Sequence, residues 1–494
     1  MNGYDDIIIG SGLGGLACGY MLSRHGRNVC VLERNSQVGG CLQTFRRGTV
    51  DFDTGFHYVG GLDAGQPLHR LFSYFRLLDL PWQRLDDTAF DEVVLGNRSF
   101  FFATGHDRFV ETFAEQFPRQ KENLKTYVAL LQKVGDHLFD SLKPDRADEV
   151  YSTSLFTKSA YEFLQHTIDD PLLRQALSGT SLKMELDAET LPLYVFAQIN
   201  NSFIQSAWRI RGGGQQIANR LAEHITAMGG QVRRMADVTR LVVENGVITA
   251  VEVNGQELIE AKQVISNAHP AATLALIDEG GIKKIYRNRI TALPNTAGIF
   301  TANIRLKPNT LPYFNRNIYI HTPDVDLWRP SGGGSAQSAM VSCQAPESGI
   351  FTDNIDLLTP MTWTEVAQWE HTQIGRRGDD YVAMKQQKIE ELLRLVEPRL
   401  PELHGAIDRI FSSTPISYQN YTRTVHGSAY GIRKDWNNPM TTILPARTPV
   451  QNLLLTGQSL NLHGVLGVTM TALFTCAHIL GMDTVAADIM DNYE

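Results

Sequence analysis

The sequence predicts an α/β fold in which a domain built on a parallel sheet is interrupted by an inserted α+β domain. Three observations predict it. A strand, a glycine turn, a helix and a second strand open the chain; two Asn-Gly pairs divide a run of alternating strands after residue 238; a further strand, glycine turn and helix come near residue 464. With 494 residues the chain is too long for one simple core, so the separated pieces are expected to form one domain folded around another.

The first element is Asp5 and Asp6 leading into Ile7, Ile8 and Ile9, a β-branched run suited to a strand buried on both faces of a parallel sheet. GSGLGG follows, and LACGYMLSRHG then keeps helical spacing of apolar residues until Gly26 can close the helix. NVCVLE is the second strand. The glycines have separate reasons. Gly10 permits the tight turn, Gly12 lets backbone approach a pyrophosphate, and Gly15 lets the helix pack close on the strand. Phosphates would sit at the helix N-terminus, where unpaired N–H groups and about half a positive charge meet them. Glu33, at the end of the second strand, is placed to accept hydrogen bonds from an adenosine ribose and would repel a 2′-phosphate. A lone G-x-G-x-x-G also arises by chance in surface turns; here the strand, helix, second strand and acid all fall where dinucleotide binding needs them. The unit alone does not choose between NAD and FAD.

The continuation, ERNSQVGGCLQTF and then TVDFDTGFHYVGG, places Gly39 and Gly40 a few residues after Glu33. With them, the run from Ile7 to Gly61 resembles the flavoprotein family of phytoene desaturases, carotenoid isomerases and retinol saturases. The resemblance implies a Rossmann-like FAD-binding domain, FAD as the cofactor, and a second glycine pair in contact with it.

Residues 212–270 form the next organised block. GGGQQIANRLAEHITAMGG reads as a helix with Ile217, Leu221 and Ile225 on one face, closed by Gly229 and Gly230. RLVVENGVITAVEVNGQELIEAKQVISNAHP reads as a three-stranded meander followed by one more strand, the Asn-Gly pairs being hairpin signals. In the family resembled, that last strand returns to the dinucleotide sheet with its tip near the cofactor, which puts Asn267 there. Gly14, Arg34 and Val238 join the expected cofactor-binding set.

The expected FAD-binding domain comprises 1–63, 212–280 and 441–494, and the substrate domain 64–211 and 281–440. The first insert shows helical patterns, Leu68, Leu71, Phe72, Phe75 and Leu78, then Phe109, Phe113 and Phe117. The second mixes strand-like GIFTANIRL and NIYIHT with a helix around Met384 to Val396. Aromatic residues crowd both inserts, among them Trp82, Tyr194, Phe203, Trp328 and Tyr418. They would suit an apolar tunnel, yet large cores need large side chains in any case, and taken alone they favour the plain core.

QNLLLTGQ reads as a buried strand, Leu453 to Leu455, ending on Gly457 and Gln458. HGVLGVTMTALFTCAHILG is then a glycine-led helix with Val468, Ala472 and Cys476 at i, i+4 spacing. A second helix N-terminus is a second receptor for an anion or dipole, suited to the pyrimidine end of an isoalloxazine, which becomes anionic on two-electron reduction. Gly457, Gln458, Gly464, Gly467 and Val468 are therefore expected to clamp the ring. TGQ followed by GVLGV, with SYQNYTRTVHGSAYGI at 417–432, resembles the retinol saturase branch of the family.

Composition sets bounds. A hydrophobic content of 43% with 20% charged residues is ordinary globular usage, and a formal net charge of −8 argues against a nucleic-acid partner. Five cysteines without C-x-x-C spacing fit a reducing compartment and give no zinc site; with no cationic leader on MNGYDDIIIG, a cytoplasmic location is expected. Thr448 to Met482 carries no Asp, Glu, Lys or Arg, but its apolar part is at the lower limit for a membrane span and includes Thr469, Thr471, Thr475 and His478. A buried helix is expected there.

These readings lead to an FAD-dependent oxidoreductase that adds or removes hydrogen across a carbon–carbon double bond of a long apolar polyene or isoprenoid. His57, Tyr58, Tyr430 and His463 are candidates to face the reacting centre, although a histidine or tyrosine beside a pocket often only fixes a loop. The retinol saturase likeness favours reduction; carotenoid desaturation and isomerisation share the scaffold. The rivals are a flavin amine oxidase and a non-enzymatic carrier of prenylated proteins, like the Rab GDP-dissociation inhibitors. GGGSAQ at 332–337 follows no strand and reads as a loop, so a second dinucleotide fold is not found. The electron donor or acceptor, NADPH or a redox protein, stays open. An apolar substrate implies peripheral contact with a membrane surface, although no polybasic amphipathic helix is present to make it.

Overall fold

A computed structural model gives the fold for residues 3–142, 154–330, 332–347 and 349–491. A five-stranded sheet organises it, in the order Gln231–Arg233, Val29–Leu32, Tyr4–Ile9, Ala261–Ser266, Leu453–Leu455, with every pair parallel. The apolar alternation of these strands separates two cores. Ile8, Val31, Ile265 and Leu454 pack with one set of helices, whereas Ile7, Ile9, Cys30, Leu32, Val264, Leu453 and Leu455 pack beneath the meander. A sheet covered on both faces needs β-branched and apolar residues throughout, which is what the isoleucine run supplies.

The register fixes more than the order. Arg233 pairs with Leu32, Leu32 with Ile9, Ile9 with Ser266 and Ser266 with Leu455, so the carboxyl ends of all five strands stop level. The turns that follow them are forced into one row.

Helix Leu13–Arg24 packs against Gln215–Ala227 and against Gly464–Leu480. Close approach is possible because Gly15 has no side chain: a Cβ there would lie 2.1 Å from the Gly10 carbonyl oxygen. Helix Gly464–Leu480 puts Leu466, Met470, Ala472, Leu473 and Cys476 into the same core. Among the described residues no helix is long and apolar enough to cross a membrane.

The meander forms as the Asn-Gly pairs predict: Val238–Glu244, Val247–Val253 and Glu257–Ile259 are antiparallel, and Asn245 and Gly246 both take positive φ, as a two-residue hairpin turn requires. Residues 332–335 are bends with no helix after them.

A second sheet, of seven strands, runs in the order Ile407–Ser413, Gly298–Leu306, Asn354–Met361, Ser338–Ser342, Asn317–His321, Asp91–Leu95, Arg98–Phe102. Residues 64–211 are thus less helical than their apolar spacing predicts. DEVVL and RSFFF pair across Gly96 and Asn97, and Asp91–Leu95 adds in parallel beside Asn317–His321. Helix Leu193–Gln205 and the helices His106–Gln116 and Lys121–Asp136 belong to the same core as that edge of the sheet.

Two buried carboxylates lie in and beside this sheet. Asp356 accepts from Asn303 Nδ2 at 2.6 Å, and burial pushes its pKa up to about 8. Asp53 accepts from the Gly214 backbone N–H at 2.8 Å and from Gln344 Nε2 at 2.9 Å, and burial raises its pKa to about 6.

Two outcomes follow for stability. Gly15→Ala drives a methyl into a backbone carbonyl that cannot move aside, so about 3 kcal/mol of stability is lost in a urea titration. Gly229→Ala, at φ +91° with open space around it, loses only about 1–2 kcal/mol. For Asp356 the folded pKa stands above the ordinary carboxylate value of 3.8, so the folded state holds a proton that the unfolded chain releases. The stabilisation is complete below about pH 4 and is lost as pH rises toward about 8; Asp356→Asn should flatten that part of the unfolding midpoint's dependence on pH.

Candidate active site

A cavity of about 420 Å³ lies along the row of turns at the carboxyl ends of the parallel strands. That is where an open parallel sheet leaves a crevice. At one end stands Glu33, 6% exposed, held by the first turn: Oε2 accepts from the Ser11 backbone N–H at 3.1 Å and from Ser11 Oγ at 2.5 Å, and Oε1 from the Asn35 N–H at 2.9 Å. Arg34 donates to the Asn420 carbonyl, and Arg423 pairs with Asp237 at 2.7 Å, so the loop after 420 closes this end together with Val238.

In the middle, three glycines from two distant parts of the chain meet one side chain. A Cβ on Gly12 would lie 2.7 Å from Asn267 Nδ2, one on Gly14 would lie 2.6 Å from Asn267 Oδ1, and one on Gly457 would lie 2.7 Å from the same oxygen. The second glycine pair closes on the first: Gly39 N–H donates to the Ser11 carbonyl at 3.0 Å, and a Cβ on Gly40, at φ +56°, would stand 3.2 Å from the Gly12 Cα. At the far end Gly464, Gly467 and Val468 line the cavity at the start of their helix.

Gly10, Gly12, Gly14, Glu33, Arg34, Gly39, Gly40, Val238, Asn267, Gln458, Gly464, Gly467 and Val468 all line this one cavity. Gly15 and Gly457 do not. Gly15 lies under the Gly10 carbonyl and Gly457 lies behind Asn267 and Gly14, so both act by permitting close packing of the wall.

His57, Tyr58, Tyr430 and His463 line the same cavity. Tyr430 donates to the Leu182 carbonyl at 2.6 Å, and His463 Nε2 donates to the Lys183 carbonyl at 3.1 Å, their rings 4.4 Å apart. Together they fix the Leu182–Lys183 turn. Tyr58 donates to Asp91 Oδ2 at 3.0 Å and lies 2.6 Å from the Tyr319 hydroxyl. His57 is different, because its Nε2 is buried without a protein partner among the described residues. Burial lowers both histidine pKa values to about 4, so the rings are neutral in ordinary buffers.

Two cavity residues escape the sequence patterns. Lys183 points its ammonium at Asp91 Oδ2, 2.7 Å away, with the Phe203 ring centroid 4.4 Å off; burial lowers its pKa while Asp91 opposes the shift. Gln198, on helix Leu193–Gln205, lines the cavity with both amide atoms unpartnered among the described residues. Neither lies in a motif, and the partner of Lys183 is far away in the chain.

The residues fit FAD. Helices Leu13–Arg24 and Gly464–Leu480 both begin at the cavity wall with no side chain capping them, which leaves backbone N–H groups for a pyrophosphate and for an electron-rich ring edge. Gly464, at φ +76°, has nothing within 4 Å of a Cβ, so backbone there is open to a flat ligand. Ser428 Oγ and His57 Nε2 are buried cavity-lining polar atoms that lack protein partners among the described residues. When bound, the flavin supplies two-electron exchange with a substrate. Among the described residues no cluster of His, Cys, Asp and Glu could hold a metal ion.

The chain is 26% identical to an all-trans-retinol 13,14-reductase of Danio rerio over 526 residues, covering 96% of this chain and 86% of that protein. It is 23% identical to a chloroplastic prolycopene isomerase of Daucus carota, covering 97% and 80%. The solved structure of putrescine oxidase bound to putrescine superposes with a TM-score of 0.64 at 18% identity, covering 97% of this chain and 99% of the other, and shares the fold. The cofactor is FAD, and the protein is an FAD-dependent oxidoreductase. Residues 13–297 match the flavin containing amine oxidoreductases, and the chain belongs to that family.

Proposed function

We propose that this oxidoreductase adds hydrogen across a carbon–carbon double bond of a long apolar polyene or isoprenoid. The observation that carries the reading is the wall of the cavity beyond the glycine turns. There Ile199, Phe203, Ile299, Met340, Leu358 and Leu462 face it, contributed by helix Leu193–Gln205, by the seven-stranded sheet and by the segment before the C-terminal helix. An extended hydrocarbon gains burial along such a wall, about 0.8 kcal/mol for each CH₂ removed from water.

The same wall disfavours an amine substrate. Among the described residues lining the cavity the carboxylates are Glu33, engaged by Ser11 and Asn35, and Asp237, paired with Arg423. Both belong to the end opposite Gly464, leaving a protonated amine no carboxylate partner on the apolar wall. Similarity along nearly the whole chain to a retinol reductase and a prolycopene isomerase supports a polyene, and the stronger match to the reductase supports reduction.

Each part of the chain then has a task. The Gly10–Gly14 turn and its helix bind the pyrophosphate of FAD, Glu33 orients the adenosine ribose, and the segment Gln458–Val468 holds the ring. Tyr58, whose proton points at Asp91, and the apolar insert keep water from the double bond.

Two measurements test this. Glu33→Ala removes a charged acceptor and frees the Ser11 and Asn35 donors; apo-protein titrated with FAD should bind about 10–100-fold more weakly by flavin fluorescence. Unchanged affinity would remove Glu33 from the cofactor site. Holoprotein reduced anaerobically and given a polyene should shorten its chromophore, with two hydrogens added by mass. Isomerisation leaves the mass unchanged, desaturation by oxidised protein removes two hydrogens, and no change in any polyene sinks the reading.

A further inference from the structure

A second, smaller cavity of about 30 Å³ adjoins the first, and Tyr430, Gln458 and His463 form the partition between them. Its outer wall is Arg433 with Glu185 and Asp187, paired at 2.9 and 3.3 Å, and all three side chains stay partly exposed. Its inner wall holds Thr190, whose Oγ1 is buried without a partner among the described residues, and the buried Lys434. The space suits about two waters.

Lys434 has carbonyls around its nitrogen and no counter-charge. Nζ donates to the Thr442 and Ser459 carbonyls at 2.9 and 2.7 Å, and among the described residues no carboxylate pairs with it. Glu185 and Asp187 are engaged by Arg433, and Asp435 by Asn437 and Asn438. Burial alone pulls the Lys434 pKa down to about 7. An ammonium has three N–H groups and a neutral amine two, so both carbonyls stay satisfied in either state. Lys434 therefore changes charge without releasing the loop.

That loop is the one assigned to the ring. Ser459 lines the larger cavity between Gly457 and helix Gly464–Leu480, and His463 is the N-cap of the helix. Burial first, and then the Lys434 charge, keep the His463 imidazole neutral with a pKa of about 4, so a charge on Lys434 is felt where the ring edge would lie. The other groups that face Lys434 do not titrate near neutral pH: burial lowers His269 to about 4 and raises Tyr430. Two electrons and one proton leave a reduced ring with one negative charge, and a negative charge nearby favours the protonated form of an amine.

We propose that Lys434 takes up one proton from solvent, by way of the small cavity, whenever a two-electron donor reduces the ring, and releases it when the ring is reoxidised. The proposal rests on the placement of the ring at Gln458–Val468 and is independent of the substrate. Reduced protein then holds, side by side, the hydride equivalent and the proton that hydrogenation of a double bond consumes.

The test is potentiometric, without turnover. Holoprotein is titrated with dithionite and indicator dyes from about pH 6 to about pH 9, and the slope of the midpoint potential against pH counts the protons taken up per two electrons. Above about pH 7 the unsubstituted protein should take up two protons, until the pH passes the raised pKa of the reduced state, about one unit or more higher. Absorbance of the reduced ring should show it anionic throughout, which leaves the second proton to the protein. Lys434→Arg keeps donors and charge but does not titrate, so the count should fall to one while the loop and the bound flavin spectrum are retained. Lys434→Met should also give one, with a lower midpoint than Lys434→Arg at every pH. A single proton across the whole range in the unsubstituted protein, a neutral reduced ring, or a second proton that survives in Lys434→Arg overturns the proposal. Gly464→Ala tests the ring's placement separately: its methyl enters open space at the helix start and should weaken FAD binding about tenfold. Unchanged affinity and spectrum in that variant would take the ring away from the helix, and the proposal with it.

Discussion

The level ending of five parallel strands is the constraint on which the rest of the molecule depends. Because Arg233, Leu32, Ile9, Ser266 and Leu455 stand in register, turns from residues 10, 33, 267 and 456 must share one edge. There is little room for side chains where they meet. Asn267 fills the space among Gly12, Gly14 and Gly457, and a methyl on any of these glycines would lie within 2.7 Å of it. The glycines near both ends of the chain therefore answer one packing problem, and the crevice that remains beside them is the cavity. Its chemistry follows from the same alignment, since two helices start beside those turns and direct uncapped N–H groups into one space.

Local features of this arrangement are legible in the sequence because their causes are local. The isoleucine strand, the spaced glycines, the Asn-Gly hairpins and the uncharged C-terminal helix each need only neighbouring residues to declare themselves. What the sequence hides is pairing at a distance. DEVVL and RSFFF lie among helix-like aromatic spacings, and Gly96 with Asn97 is the one hairpin signal between them; that they extend a sheet begun at residue 298 is decided by the partner strand Asn317–His321. Lys183 is concealed for the same reason. In TSLKMELD nothing distinguishes it from an exposed lysine until the fold brings Asp91 to its ammonium.

The glycine turns and Glu33 bound one end of the cavity, whereas the wall beyond them comes largely from the inserted sheet and helix. An amine oxidase and a polyene reductase can therefore share the first half of this design and differ in the second. Here the second half supplies apolar side chains and a charge-neutral pair. Lys434 shows how the junction is held without spending charge on the cavity: buried, with its pKa pulled down to about 7, it donates to the Thr442 and Ser459 carbonyls at 2.9 and 2.7 Å and fixes the loop between Gly457 and the C-terminal helix.

Asp91 carries the coupling between the two halves. Its carboxylate takes a proton donor from each of three separate parts of the chain: Tyr58 Oη at 3.0 Å, Lys183 Nζ at 2.7 Å and Asn317 Nδ2 at 3.1 Å. Asn317 in turn accepts from Arg209 Nη2 at 2.7 Å and from Ser342 Oγ at 3.0 Å. A buried ion pair contributes little net stability, but breaking one side of it leaves a charge stranded and costs about 3–5 kcal/mol. The inserted sheet therefore cannot slide past the residues that follow the second glycine pair without breaking this node. With the bonds from Gln344 to Asp53 and from Asn354 to the Asp51 carbonyl, the Asp91 carboxylate holds the inserted sheet and the residues after the second glycine pair in one geometry. On the proposed reading, in which a double bond is set against a flat ring, that rigidity matters more than the small stability of the pair.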